Sequence, residues 1–139
     1  MTASSVIEYY RQFAFVSSVL AGFAFTLYGV LLGTSTAHKA ADWASLLAVA
    51  ASVSFLLVTL GMTFAAAVAA HLPKDATMPP AITAQQMPLS FCFLGGIALL
   101  FAAFGLGGWI RSRSLGIATT VVAGLGLVAA FAVLIPFMR

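Results

Sequence analysis

The sequence predicts an all-α integral membrane protein, a four-transmembrane-helix bundle. Two observations predict it: 63% of the residues are hydrophobic against 6% charged, and the apolar residues fall into four long runs with the charges between them or at the ends. A soluble domain carries about 25% charged residues. A soluble globule of this size would lack the polar groups to cover itself, so lipid has to contact much of the surface. With 139 residues, the whole chain 1–139 is expected to form a single domain.

A bilayer core is about 30 Å thick and takes a helix of roughly 20 apolar residues. Four segments meet that requirement: Phe13 to Leu32, Ala44 to Ala70, Pro88 to Ile110 and Leu115 to Phe137. Hydrocarbon offers no partner to a backbone N–H or C=O, so each run must satisfy its own backbone as a helix. The short alternating strands of a barrel are absent from the sequence. The second run, about 27 residues, would measure roughly 40 Å. It is expected to tilt, or to extend beyond the membrane toward Ala69 and Ala70.

The connections differ. The first loop is expected over Gly33 to Trp43. The second, His71 to Met87, holds Pro73, Pro79 and Pro80 with Pro88 at its edge, a pattern that favours an extended, helix-free link. The third, Arg111 to Ser114, is short enough to make the last two helices an antiparallel hairpin. Pro136 is expected to end the fourth helix. The first run is longer than a signal-peptide core and no cleavage site follows it, so the first helix is expected to be retained. Trp43 and Trp109 fall on one side and Tyr9 and Tyr10 on the other, where such rings favour the headgroup level.

Lys and Arg divide evenly. Arg11, Lys74 and Arg139 lie on the side of the termini; Lys39, Arg111 and Arg113 lie opposite. The positive-inside rule is tied. The first helix usually dominates, so the expected location is the inner or plasma membrane with both termini cytoplasmic. The net charge of +3 is small and scattered, which points away from nucleic acid and toward lipid headgroups.

The first helix carries small residues on one face: Ser18, Gly22, Thr26, Gly29 and Gly33 recur every three or four positions. Such residues let backbones approach closely in lipid, where no hydrophobic force drives helices together. Packing within the bundle, contact with the same helix of another copy and a pore lining are the readings open to this face. On the second helix Ser45, Ser52 and Thr59 recur every seven residues; such hydroxyls bond to preceding carbonyls or across helices. The glycines of the third and fourth helices point to a tightly packed hairpin, with local unwinding for a substrate as the alternative. Glu8 and Arg11 make a plausible pair on a helix before the first span.

No Asp, Glu, Lys, Arg or His lies within an expected span. Proton relays and ion sites in membranes rest on such groups, and acid–base catalysis needs them as well. His38 and His71 fall in loops on opposite sides and cannot meet on one metal within a subunit. Cys92 is a lone thiol inside an apolar run, expected to pack as a small hydrophobe. The sequence therefore points away from an enzyme, a metal centre or a bound cofactor.

The stretch from Ser17 through Val19, Gly22 and Phe23 to Ala24 resembles the pore helix of the Orai calcium channels. The rough plan is similar too, with four spans and a long second helix. The resemblance implies subunits arranged around a pore lined by their first helices. It would place Phe15, Val19, Gly22, Phe23, Thr26 and Val30 along that pore. The family's glutamate filter falls at Val30 and part of its basic inner segment at Phe15, so the lining implied here is apolar and suited to gating by dewetting. The expected function is an oligomeric channel-like membrane protein with its first helix near the symmetry axis, and Ser18, Gly29 and Gly33 as helix-packing positions. The alternatives are a non-catalytic small subunit of a larger membrane complex and a dual-topology exporter of small molecules.

Overall fold

The computed structural model describes residues 3–33, 39–72 and 79–134. They form four α-helices: α1 (Ala3–Gly33), α2 (Lys39–His71), α3 (Pro80–Trp109) and α4 (Arg113–Leu134). All four are long and apolar enough to cross a membrane, and no strand occurs among the described residues. His38, Lys74, Asp75, Pro136 and Arg139 lie outside the described residues.

Consecutive helices pack against each other: α1 on α2, α2 on α3, α3 on α4. The first helix touches α3 lightly, while α4 meets α3 alone. The result is a three-helix unit with α4 leaning on one side of it.

The α1–α2 contact is a seam of small residues. On α2 the buried positions include Ala41, Ala44, Ala48, Ala51, Phe55, Val58, Met62, Ala65 and Ala69, which alternate steps of three and four. On α1 Tyr10, Ala14, Ser17, Ala21, Ala24 and Leu31 are buried in the same rhythm. A recurrence of 3.5 residues keeps one stripe facing a partner when helices cross at about +20°. Lipid tails are as apolar as leucine, so this seam gains from close van der Waals contact rather than from expelling water. Among the described residues a side-chain hydrogen bond crosses it: the Ser52 hydroxyl donates to the Ala21 carbonyl at 3.1 Å. Thr59 instead turns back to its own helix and donates to the Phe55 carbonyl at 2.9 Å.

Aromatic rings fill the junction of the three helices. Phe93 of α3 lies 4.6 Å from Phe13 of α1 and 5.8 Å from Phe55 of α2, ring centre to ring centre. Phe55 is fully buried and presses on Gly96, where an added Cβ would come within 2.9 Å of its ring. In the α3–α4 hairpin Gly116 accommodates the Trp109 indole and Gly126 the Phe101 ring. Thr119 donates to the Gly105 carbonyl across the hairpin at 3.2 Å, and the Trp109 Nε1–H donates to Thr120 at 3.0 Å. Gly95, Gly107 and Gly124 face open space. The helices run through these glycines without unwinding.

Phe13–Gly33, Trp43–Met62, Leu89–Trp109 and the length of α4 each measure about 30 Å, and they lie side by side. The Trp43 and Trp109 rings mark one edge of this slab. With one edge of a ~30 Å layer set at Trp43 and Trp109, α1, α2 and α3 are long enough to continue past its other edge by about 12–15 Å at 1.5 Å per residue. These continuations, residues 3–12, 64–71 and 80–88, form a helical collar. Its interior joins the membrane core through Tyr10, Ala65 and Ala66, with Val6 and Ile82 packed against them. The Gln86 amide donates to the Tyr10 hydroxyl and ties α3 to α1 there.

The collar shortens the link expected between α2 and α3. The prolines at 79 and 80 start a helix rather than excluding one. Pro79 holds an extended backbone, with ψ of 135°, and Pro80 takes the first helical turn. An N–H is unpaired there in any helix, and the ring presets φ, so proline suits that position. Pro88 lies inside α3 and removes only one backbone donor from it. The third connection is as short as expected: Ser112 caps α4, its hydroxyl accepting from the Leu115 N–H at 3.2 Å.

Candidate functional site: the outward face of the first helix

The side of α1 turned away from α2 and α3 is the most distinctive surface of the protein. Its central line runs through Phe15, Ser18, Gly22, Thr26, Gly29 and Gly33, all exposed. A Cβ added at Gly22, Gly29 or Gly33 would meet nothing within 4 Å. Of the expected helix-packing positions, Gly29 and Gly33 therefore have open space toward the described residues, and Ser18 is exposed. Intrachain packing uses the neighbouring stripe of Ala14, Ser17, Ala21 and Ala24 instead.

The six residues implied as pore-lining share this outward side. Phe15 is 70% exposed and Val30 62%, and Val19, Gly22 and Thr26 are open as well. Phe23 stands at its border, half-exposed, with its ring 5.7 Å from that of Phe104 on α3. The structure thus brings the six onto one side of α1, exposed among the described residues except where Phe23 meets Phe104.

The polar atoms of the face are satisfied locally. Ser18 donates to the Phe15 carbonyl at 2.7 Å and Thr26 to the Gly22 carbonyl at 2.9 Å. Each hydroxyl keeps its acceptor lone pairs outward. What the glycines add is bare backbone: a shallow trough between Val19, Phe23 and Val30 on one flank and Phe25 and Leu32 on the other. The exposed face of α4 is different in kind. Val121, Val122, Leu125 and Val128 present bulky aliphatic groups suited to acyl chains.

Around this face the chemistry is sparse. Among the described residues no cluster of His, Cys, Asp or Glu has metal-holding geometry. Glu8 accepts from Gln12 at 3.1 Å, and no ion pair joins it to Arg11. His71 is exposed, with Nδ1 2.8 Å from the Ala67 carbonyl oxygen. Cys92 is partly buried in α3.

The α1–α2 seam and the α3 part of the collar, residues 80–88, are features that sequence reading passed over. The seam had a signal: alanine and serine recurring at 14/21, 17/24, 41/48 and 44/51. The row from Ser18 to Gly33 has a similar rhythm one position away, and spacing alone does not say which of two adjacent stripes faces inward. The collar had a weaker signal, the polar Gln85 and Gln86 between Pro80 and Pro88.

No protein-family model matches the chain, and neither a characterised protein nor a solved structure does.

Proposed function

We propose that this protein is a homo-oligomeric, channel-like membrane protein in which α1 of each copy faces the symmetry axis. The observation that carries the reading is the exposed outward face of α1, with glycines at 22, 29 and 33 that have open space toward the other described residues. Small residues exposed to lipid lose the packing that bulky groups would make there, and close helix–helix contact recovers it. The local resemblance of Ser17 to Ala24 to the Orai pore helix adds support on those few residues. An axis lined by Phe15, Val19, Phe23 and Val30 would be apolar and would gate by dewetting. The reading assigns no catalytic residue.

Disulfide trapping in native membranes tests the contact. In a Cys92→Ser background, Gly22→Cys and Gly29→Cys are expected to give linked dimers on mild oxidation, and Val122→Cys on α4 is not. Conductance tests the channel: Phe23→Ala or Val30→Glu is expected to raise ionic current across a planar bilayer. A monodisperse monomer, with no trapping at either glycine, refutes the proposal. Trapping to a different, larger polypeptide would favour a small subunit of a membrane complex. Copies linked in antiparallel orientation would favour a dual-topology exporter.

A further inference from the structure

We propose that the groove between α1 and α2 at the base of the collar binds one anionic phospholipid, with its phosphate on Arg11. The groove has a volume of about 330 Å³ and is lined by Arg11, Ala14, Thr63, Ala66, Ala67 and Ala70. That volume lies at the small end of ligand pockets. It exists because α2 carries alanine at nearly every position from 65 to 70, so the helix surface is cut back beside α1. Ala67 and Ala70 are exposed, and no part of the described chain covers this floor.

Depth and charge identify the occupant. With a ~30 Å hydrocarbon layer set against Trp43 and Trp109, Thr63 falls at its edge and Ala70 about 10 Å beyond it along α2. The groove thus spans the layer that holds glycerol and headgroup, with acyl chains leading off into the bilayer beneath. Arg11 stands at its rim, exposed, and no carboxylate among the described residues pairs with it. A guanidinium offers a rigid fork of donors that matches two oxygens of a phosphate. An anionic lipid supplies the charge, the depth and the apolar tail together.

Native mass spectrometry of the full chain tests this. The protein is released from vesicles made of equal parts dioleoyl-phosphatidylglycerol and dioleoyl-phosphatidylcholine. The expected result is one phosphatidylglycerol retained per chain in preference to phosphatidylcholine. Arg11→Gln is expected to lower that retention about tenfold, as loss of a hydrogen bond to a charged group does. Ala67→Phe fills the groove from an exposed position and is expected to lower it as much, with helix content unchanged by circular dichroism. Equal retention of the two lipids overturns the proposal. So does a loss with Arg11→Gln that Ala67→Phe does not reproduce, which would mark a surface cation without a groove. Disulfide trapping of Ala67→Cys between copies in a Cys92→Ser background would place a second chain there and overturn it also. Gly22 lies about 16 Å deeper along α1, so the lipid test and the trapping test fail separately.

Discussion

Phe55→Ala in α2 isolates what packing is worth in this protein. Phe55 is 0% exposed, lies edge-on to Phe93 and fills the notch left by Gly96. In a soluble core, the same change loses both the transfer of the ring out of water and the contacts around the cavity, roughly 3–5 kcal/mol together. Here the unfolded helices remain in lipid, so the transfer contribution largely drops out. The cavity remains. Removing the phenyl ring leaves roughly 100 Å³, which at about 24 cal/mol per Å³ is about 2.4 kcal/mol. The notch supplies an internal control. Gly96→Ala places a Cβ 2.9 Å from the Phe55 ring. That ring cannot swing aside cheaply, because it is enclosed and backed by Phe93. Overpacking of this kind costs about 1–3 kcal/mol. In the Phe55→Ala background the same methyl enters empty space and is expected to be neutral or mildly stabilising. The two changes should therefore couple by at least ~1 kcal/mol, within the range seen for residues in contact. Reversible unfolding in mixed mild-detergent and dodecyl sulfate micelles measures all four corners of the cycle. Additive effects would refute the placement of Phe55 against Gly96. A Phe55→Ala loss near zero would refute the cavity reasoning.

Ser52 and Ser17 make opposite predictions on the same seam. Ser52→Ala removes the hydrogen bond to the Ala21 carbonyl and is expected to cost about 0.6 kcal/mol, the average for such bonds between membrane helices. The Ser17 hydroxyl is fully buried without a hydrogen-bond partner. Ser17→Ala is expected to stabilise by about 1 kcal/mol, since it removes an unsatisfied polar group; the same unfolding assay reads both signs. Gly116→Val drives a side chain into the Trp109 indole, 2.6 Å from an added Cβ. In a Trp43→Phe background, Trp109 emission is expected to shift as its bond to Thr120 breaks, with a loss of about 1–3 kcal/mol.

The sequence by itself determined the solvent and the elements. Runs so poor in charge rest only in hydrocarbon, and hydrocarbon permits only self-satisfied backbone, so four helices followed from composition and length. Which helix ends share a side followed as well, with Trp43 and Trp109 at one edge. The tertiary structure decided which way each helix turned. The first helix carries two small-residue stripes side by side, Ala14 to Ala24 and Ser18 to Gly33, and both suit close approach in lipid. In water the more polar stripe would be forced outward; in a bilayer both are compatible with either side. Only the fit of Ala21 against Ser52, and of Phe13 and Phe55 around Phe93, selects the alanine stripe for the interior and leaves the glycine stripe exposed. The extent of α3 was settled in the same way. Pro88 reads as a boundary by local rules, yet contacts from Gln86 and Leu89 to the neighbouring helices carry the helix through it to Pro80. Local propensity governs where nothing else touches the chain, and packing overrides it where something does.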